Sequence, residues 1–331
     1  MKSFKSTLIF AFVVVAISIV AYWDLNRGEK EEEKKIEESK ALPYWSSDQI
    51  NELRIVNDNR NELHLVKKNS KWQILSPVKD EADDSSVNSM LTSMISDKLN
   101  KLDVEGSINP AQYGLDQAKR FIEILGNNKK ERLVISDKKT YDGKFYLKYA
   151  DKEAVYLASS TWDQWINRKA GEVRNKKFFS NDEKIKKVTI NEGKKQIILE
   201  KVGPNWVVDG DKSYPLDESK VHNLIDGLHN FRAADVVSEE KENKNLEKFN
   251  LKKPALKINI EFEENQNPVE INVSQIPKDA GDVYLNLNSR PFVYKTYKSI
   301  AEKWKVSKSD FKKTEEKKEE KDIKKENTHH H

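Results

Sequence analysis

One ordered set of residues occurs twice in this chain, and that repetition limits the possible folds more tightly than composition does. Trp72-Gln73-Ile74-Leu75, Asp83-Asp84-Ser85-Ser86-Val87 and Tyr113-Gly114-Leu115-Asp116 are followed, in the same order, by Trp206-Val207-Val208, Asp217-Glu218-Ser219-Lys220-Val221 and Phe249-Asn250-Leu251. Trp72 and Trp206 are 134 residues apart, as are Asp83 and Asp217, Val87 and Val221, Leu91 and Ile225, and Met94 and Leu228. The spacing grows to 136 for Leu115 and Leu251 and to 138 for Gly143 and Gly281, Tyr146 and Tyr284, and Tyr156 and Tyr294. Such drift is expected when short insertions fall in loops. A chain of 331 residues built this way is a module copied once. Each copy, of about 120 residues, can bury its own core.

Each copy alternates apolar and polar residues in its early strands. Leu53-Arg54-Ile55 and Leu63-His64-Leu65 predict a hairpin across Asp58-Asn59-Arg60-Asn61, with Lys71 to Leu75 as a third strand. Asp83 or Asp84 then caps a helix whose apolar positions Val87, Met90, Leu91, Met94 and Ile95 recur at three and four. Later strands are expected at Phe121–Leu125, Arg132–Ser136, Lys144–Tyr149 and Val155–Ala158, followed by a short helix with Trp162 and Trp165. The second copy follows the same plan from Val188 to Trp304. Runs of adjacent strands with one or two helices predict α+β: a tandem duplication of an antiparallel sheet-plus-helix module.

Lys2 and Lys5 precede an uncharged, largely apolar run from Ser6 to Trp23. This run is either a retained anchor or a signal peptide with Ile19-Val20-Ala21 before the cut. As a helix, Leu8 to Trp23 would span about 24 Å, and Lys5, Tyr22 and Trp23 suit the two membrane interfaces, which favours the anchor. The leading lysines predict a cytoplasmic N-terminus and an extracytoplasmic bulk on the cytoplasmic (inner) membrane. The expected organisation is a transmembrane anchor at 1–25, a charged stalk at 26–44 and the first α+β repeat at 45–167. A basic linker at 168–184, the second α+β repeat at 185–306 and a disordered charged tail at 307–331 complete it. With 59 Lys and Arg against 55 Asp and Glu, interspersed, the chain has no basic field for nucleic acid. The absence of cysteine excludes disulfides, thiolate metal sites and thiol nucleophiles.

Phosphate-cradling loops, H-E-x-x-H and G-x-S-x-G are absent from the sequence. His222, Asp226 and His229 share one side of a predicted helix and could converge on zinc, but they flank its apolar stripe and read better as a solvated flank. Asp83 and Asp84 could act as a general acid and base on glycans. Their place before an apolar helix favours capping and dipole stabilisation. Trp72 and Trp206 could be sugar platforms, yet their repeated place on a third strand favours core packing, and Tyr113 and Phe249 read as wedges between helix and sheet. No catalytic, cofactor-binding or metal-binding residue is therefore assigned.

The sequence of signals resembles a known family. The N-terminal apolar segment, Trp72-x-Ile74, Pro77, Ala82-Asp83, the Val/Leu helix, Tyr113-Gly114-Leu115-Asp116, Gly143 to Tyr146 and the stretch from Arg174 and Lys176 to Phe179 are similar to the bacterial domain-of-unknown-function family numbered 4340. The second copy departs from this pattern at Asn250 and Lys252. The resemblance implies a membrane-anchored protein encoded beside gliding-motility-type ABC transporters. Its expected role is a non-enzymatic accessory or scaffold for permease or auxiliary subunits. A cell-envelope glycan-binding module or hydrolase is the alternative. Binding to purified peptidoglycan, with or without release of soluble fragments, separates the two.

Overall fold

The alternation in the first strands has a direct structural result. Leu53, Ile55, Leu63 and Leu65 all point to one face of a hairpin and are buried there. The computed structural model of the protein describes residues 18, 22, 23, 27, 30–57, 61–103, 108–180, 183–240, 242–263, 266–279 and 281–314. The chain divides into two units, Met1–Asn175 and Lys176–His331. The predicted membrane segment falls almost entirely outside the described residues, and among those no helix is long and apolar enough to cross a membrane.

In the first unit the strands are β1 (Glu52–Val56), β2 (Glu62–Lys68), β3 (Lys71–Ser76), β4 (Asp80–Glu81), β5 (Asn100–Lys101), β6 (Arg120–Gly126), β7 (Lys129–Lys139), β8 (Phe145–Tyr149) and β9 (Tyr156–Ala158). They form one antiparallel sheet in the order β4-β3-β2-β1-β6-β7-β8-β9-β5. Helix α1 (Asp84–Ser96) buries Val87, Met90, Leu91, Met94 and Ile95, the stripe read from the sequence. Together with the inward residues of the sheet it makes the core, to which α2 (Thr161–Ile166) adds Trp162 and Trp165 and α3 (Ala170–Val173) adds Val173.

The second unit repeats this plan. Its strands β10 (Ile185–Glu192), β11 (Lys195–Val202), β12 (Asn205–Val208), β13 (Asp235–Ser238), β14 (Leu256–Phe262), β15 (Val269–Val273), β16 (Asp282–Leu287) and β17 (Val293–Tyr297) lie in the order β12-β11-β10-β14-β15-β16-β17-β13. That is the order of the first sheet without its β4. Register agrees as well: Leu53 sits between Leu65 and Ile124, and Val188 sits between Leu199 and Ile260. Because a slip of one residue would turn every inward side chain to the other face, matched register is a strong sign of common ancestry. Helix α4 (Glu218–His229) buries Val221, Leu224, Ile225 and Leu228, and α5 (Asn243–Lys248) precedes Phe249.

The repeat is longer than its sequence signals suggested, and the expected boundaries of the stalk, the linker and the tail all move. The stalk ends before residue 40: residues 30–39 are helical, Lys40 bridges to Lys98, and Ala41 and Leu42 are 0% exposed. The stretch read as a basic linker, 168–184, is divided between the units: up to Asn175 it belongs to the first, and from Lys176 it begins the second in the same way. Lys177 bridges to Arg232, and Phe178 and Phe179 are buried. The Leu99 N–H donates to the Ser39 carbonyl at 2.9 Å in one unit, and the Ala233 N–H to the Lys176 carbonyl at 2.9 Å in the other. The expected tail likewise starts too early. Phe311 is buried, the Asp217 N–H donates to its carbonyl at 2.8 Å, and Lys312 bridges to Leu216. In the first unit the Asp83 N–H donates to the Val173 carbonyl at 2.7 Å, and Arg174 bridges to Ala82. The physical reason for all three differences is that a short β-bridge with one or two apolar anchors can order a segment too charged to look like core.

Candidate functional site

Tyr113-Gly114-Leu115-Asp116 closes a short helical turn at Pro110–Tyr113. The Gly114 N–H donates to the Ala111 carbonyl at 3.1 Å and the Leu115 N–H to the Pro110 carbonyl at 3.0 Å, the paired bonds of a Schellman cap. This cap needs a left-handed residue, and Gly114 has φ +70°. In the second unit the Asn250 and Leu251 N–H groups donate to the Glu247 and Leu246 carbonyls at 3.0 and 2.7 Å, with Asn250 at φ 55°. Asparagine is the side chain that best tolerates this region. The departure from the family pattern at Asn250 therefore preserves the cap. Tyr113 rests on Tyr146 with ring centroids 5.0 Å apart, and Phe249 rests on Tyr284 at 4.8 Å. Leu115 and Leu251 are both buried.

The other repeated residues also serve the fold. Asp83 caps α1 by accepting from the Ser86 N–H at 2.8 Å, while Asp84 accepts from the Trp72 N–H at 2.7 Å. Asp217 caps α4 through the Ser219 N–H at 3.1 Å, and Glu218 accepts from the Trp206 N–H at 3.3 Å. One acidic residue thus caps the helix and the next ties it to the third strand. Trp72 and Trp206 are buried, and the Trp72 indole N–H donates to Asn88 Oδ1 at 2.9 Å. His222 and Asp226 are exposed on α4, and His222 Nε2 lies 3.9 Å from Glu218 Oε2. Among the described residues no group of His, Cys, Asp or Glu is gathered to hold a metal, so His222, Asp226 and His229 do not converge on one.

A charged lattice covers the first sheet away from α1. Glu123 is 1% exposed, and both its oxygens are taken: Arg132 Nε reaches Oε2 at 2.6 Å, Lys130 Nζ reaches Oε2 at 2.9 Å and Arg54 Nη1 reaches Oε1 at 3.5 Å. Burial pushes this carboxyl up, but the hydrogen bonds from Arg132 and Lys130 outweigh burial and hold it below the usual range.

Two concave places border these elements. In the second unit an apolar groove of about 410 Å³ runs between α4 and the C-terminal segment, lined by Leu224, Trp304, Val306 and Phe311 with Lys220 and Lys303 beside them. In the first unit a polar cavity of about 470 Å³ lies beside Gly114, bordered by Asp116, Lys119, Arg120, Asp137 and Lys138. Arg120 is the buried member of that charged set, at 5% exposure. Its Nη1 donates to the Ser136 carbonyl at 3.2 Å, its Nη2 lies 3.6 Å from Asp163 Oδ1, and its guanidinium stands 5.5 Å over the Phe145 ring. Sequence reasoning missed Arg120. The signal was available in the duplication: at the spacing of 136 shared by Leu115 and Leu251, Arg120 corresponds to Leu256.

The family model for a domain of unknown function, DUF4340, matches residues 72–205 and 206–325. The chain belongs to the DUF4340 family. The two matched stretches start at Trp72 and Trp206, the residues that begin the repeated signal. One DUF4340 match is thus one repeat long but starts at the third strand of a sheet, out of phase with the folded units that begin near Ser39 and Lys176. No curated protein and no solved structure matches the chain.

Proposed function

We propose that this DUF4340 protein is a non-enzymatic, membrane-anchored extracytoplasmic scaffold for partner subunits. The family resemblance points to those of an ABC-type transport or gliding-motility complex. The observation that carries the reading is the junction at residues 30–42. A helix over 30–39 runs straight into the first core, with Lys40 bridged to Lys98 and Ala41 and Leu42 fully buried, so no free spacer separates them. A leader inserted in the bilayer would then hold the first unit close to the membrane surface and raise its effective concentration toward a neighbouring membrane complex. The exposed Tyr22 and Trp23 at the end of that leader suit a headgroup interface. The residues that recur between the units form caps, strand ties and ring contacts, which fits a scaffold better than a pair of active sites.

The test is affinity capture of the full chain from detergent-solubilised native membranes. A transporter permease and ATPase are expected in stoichiometric yield, and their absence overturns the assignment. A reporter active only outside the cytoplasm, fused after Asn327, is expected to be active; inactivity there, with activity of a cytosolic reporter at the same position, overturns the anchored topology.

A further inference from the structure

The two units offer an internal control for the polar cavity. Arg120 and Leu256 occupy the same place in the same sheet: Arg120 pairs with Ile135 at the start of β6, and Leu256 pairs with Val273 at the start of β14. Leu256 is 0% exposed. The module therefore folds with an apolar side chain here, and burying a guanidinium instead carries a desolvation cost that the fold does not require. The neighbours change together with it. Asp116 and Lys119 correspond to Lys252 and Ala255 at the spacing of 136, and Asp137 and Lys138 to Gln275 and Ile276 at 138. By contrast, Ser136 and its counterpart Ser274 are buried in both units, so the backbone frame is kept while the charged lining is particular to the first.

We infer that the cavity beside Gly114 is a binding site for the oxyanion group, carboxylate or phosphate, of a polar small molecule, with Arg120 as its anchor. A guanidinium suits such a group, here with Nη1 on the Ser136 carbonyl and Nη2 facing Asp163, and Lys119 and Lys138 add two cations against the carboxylates of Asp116 and Asp137. Ser136, Asp163 and Phe145 already hold Arg120 in place, so little ordering remains to be done when a ligand arrives. Lys138 Nζ donates to the Gln112 carbonyl at 3.3 Å, which fixes one wall. The acidic neighbours suit a ligand that also carries an ammonium group. A cavity of about 470 Å³ is within the range of small-molecule sites.

The experiment is titration calorimetry on the full chain in detergent at constant ionic strength, with inorganic phosphate, acetate and glycylglycine as separate probes. At least one is expected to bind with one site per chain. Phosphate binding alone identifies a phosphate-bearing ligand, and acetate or glycylglycine a carboxylate. Arg120→Leu, which installs the second unit's residue, is expected to weaken that binding at least tenfold, while Lys212→Met on the second unit leaves it unchanged. Failure of all three probes to bind, or binding by Arg120→Leu as tight as that of the original chain, overturns the inference. If Arg120→Leu does not melt cooperatively, Arg120→Lys decides: it keeps the charge and loses the fork, so a several-fold loss is expected and unchanged affinity overturns the site.

Discussion

Replacing Gly114 tests whether the family motif is explained by backbone geometry. Gly114 has φ +70°, and a Cβ placed on it would lie 2.8 Å from Ser136 Oγ and 3.3 Å from both Asp137 Oδ1 and Lys138 Cδ. Gly114→Ala therefore meets two costs. Forcing an L-residue into the left-handed region costs about 1–2 kcal/mol. Displacing Ser136 Oγ breaks the bond it accepts from the Lys138 N–H at 2.9 Å, worth roughly 0.5–1.5 kcal/mol. The sum is about 1.5–3.5 kcal/mol, all of it in the first unit. Gly114→Asn separates the two, because asparagine accepts the conformation and leaves mainly the crowding, about 0.5–1.5 kcal/mol. Asn250→Gly in the second unit should change stability by less than about 0.5 kcal/mol, since glycine is the preferred residue at this cap. Urea unfolding followed by tryptophan fluorescence reads these changes. With a slope of about 1–3 kcal/mol per M, the first-unit midpoint in Gly114→Ala should fall by roughly 1 M. A Gly114→Ala midpoint equal to that of the original chain would falsify the strain argument. An Asn250→Gly loss as large as the Gly114→Ala loss would refute the equivalence of the two caps.

Arg174 Nε and Asp80 Oδ2 form an ion pair at 2.7 Å with side chains 2% and 7% exposed, so Arg174→Ala should cost the first unit about 3–5 kcal/mol in the same urea assay by stranding the aspartate. Leu42→Ala should cost about 2–5 kcal/mol if Leu42 is core, whereas a free stalk residue would change nothing measurable. Glu123 supplies a pH test. Its folded-state value is depressed, so the stability it contributes is present above the ordinary carboxylate range and is lost as pH falls through that depressed value. The gap in urea midpoint between the original chain and Glu123→Gln should therefore shrink as pH is lowered from 7 to 3, and a constant gap would contradict the assignment.

The parts of the fold legible in the sequence were those set by periodicity. Leu53, Ile55, Leu63 and Leu65 alternate, the α1 stripe recurs at three and four, and both patterns end up buried as written. The two Trp and acid pairs were legible as a repeat, but not as a mechanism. A first-turn carboxylate binding a strand N–H leaves no periodic trace. The segments Ser39–Leu42 and Lys176–Phe179 escaped because charge surrounds them and only Ala41-Leu42 and Phe178-Phe179 anchor them. The segment ending at Lys313 escaped for the same reason: Phe311 is its one buried residue, among lysines. The cavity was hidden because Arg120 opens a strand like many surface arginines, and only its neighbours in three dimensions remove it from water.

The first sheet is finished at each end by a strand of two residues, β4 (Asp80–Glu81) on one side and β5 (Asn100–Lys101) on the other. In the second sheet the outer strand β13 carries a register irregularity between Val236 and Ser238. Stub strands and a bulge give a foreign extended peptide too few aligned amide groups to zip onto, which protects a β-rich chain from polymerising when many copies are confined together. The same stubs imply that an extended peptide approaching either margin of the first sheet finds only two residues of ladder to extend.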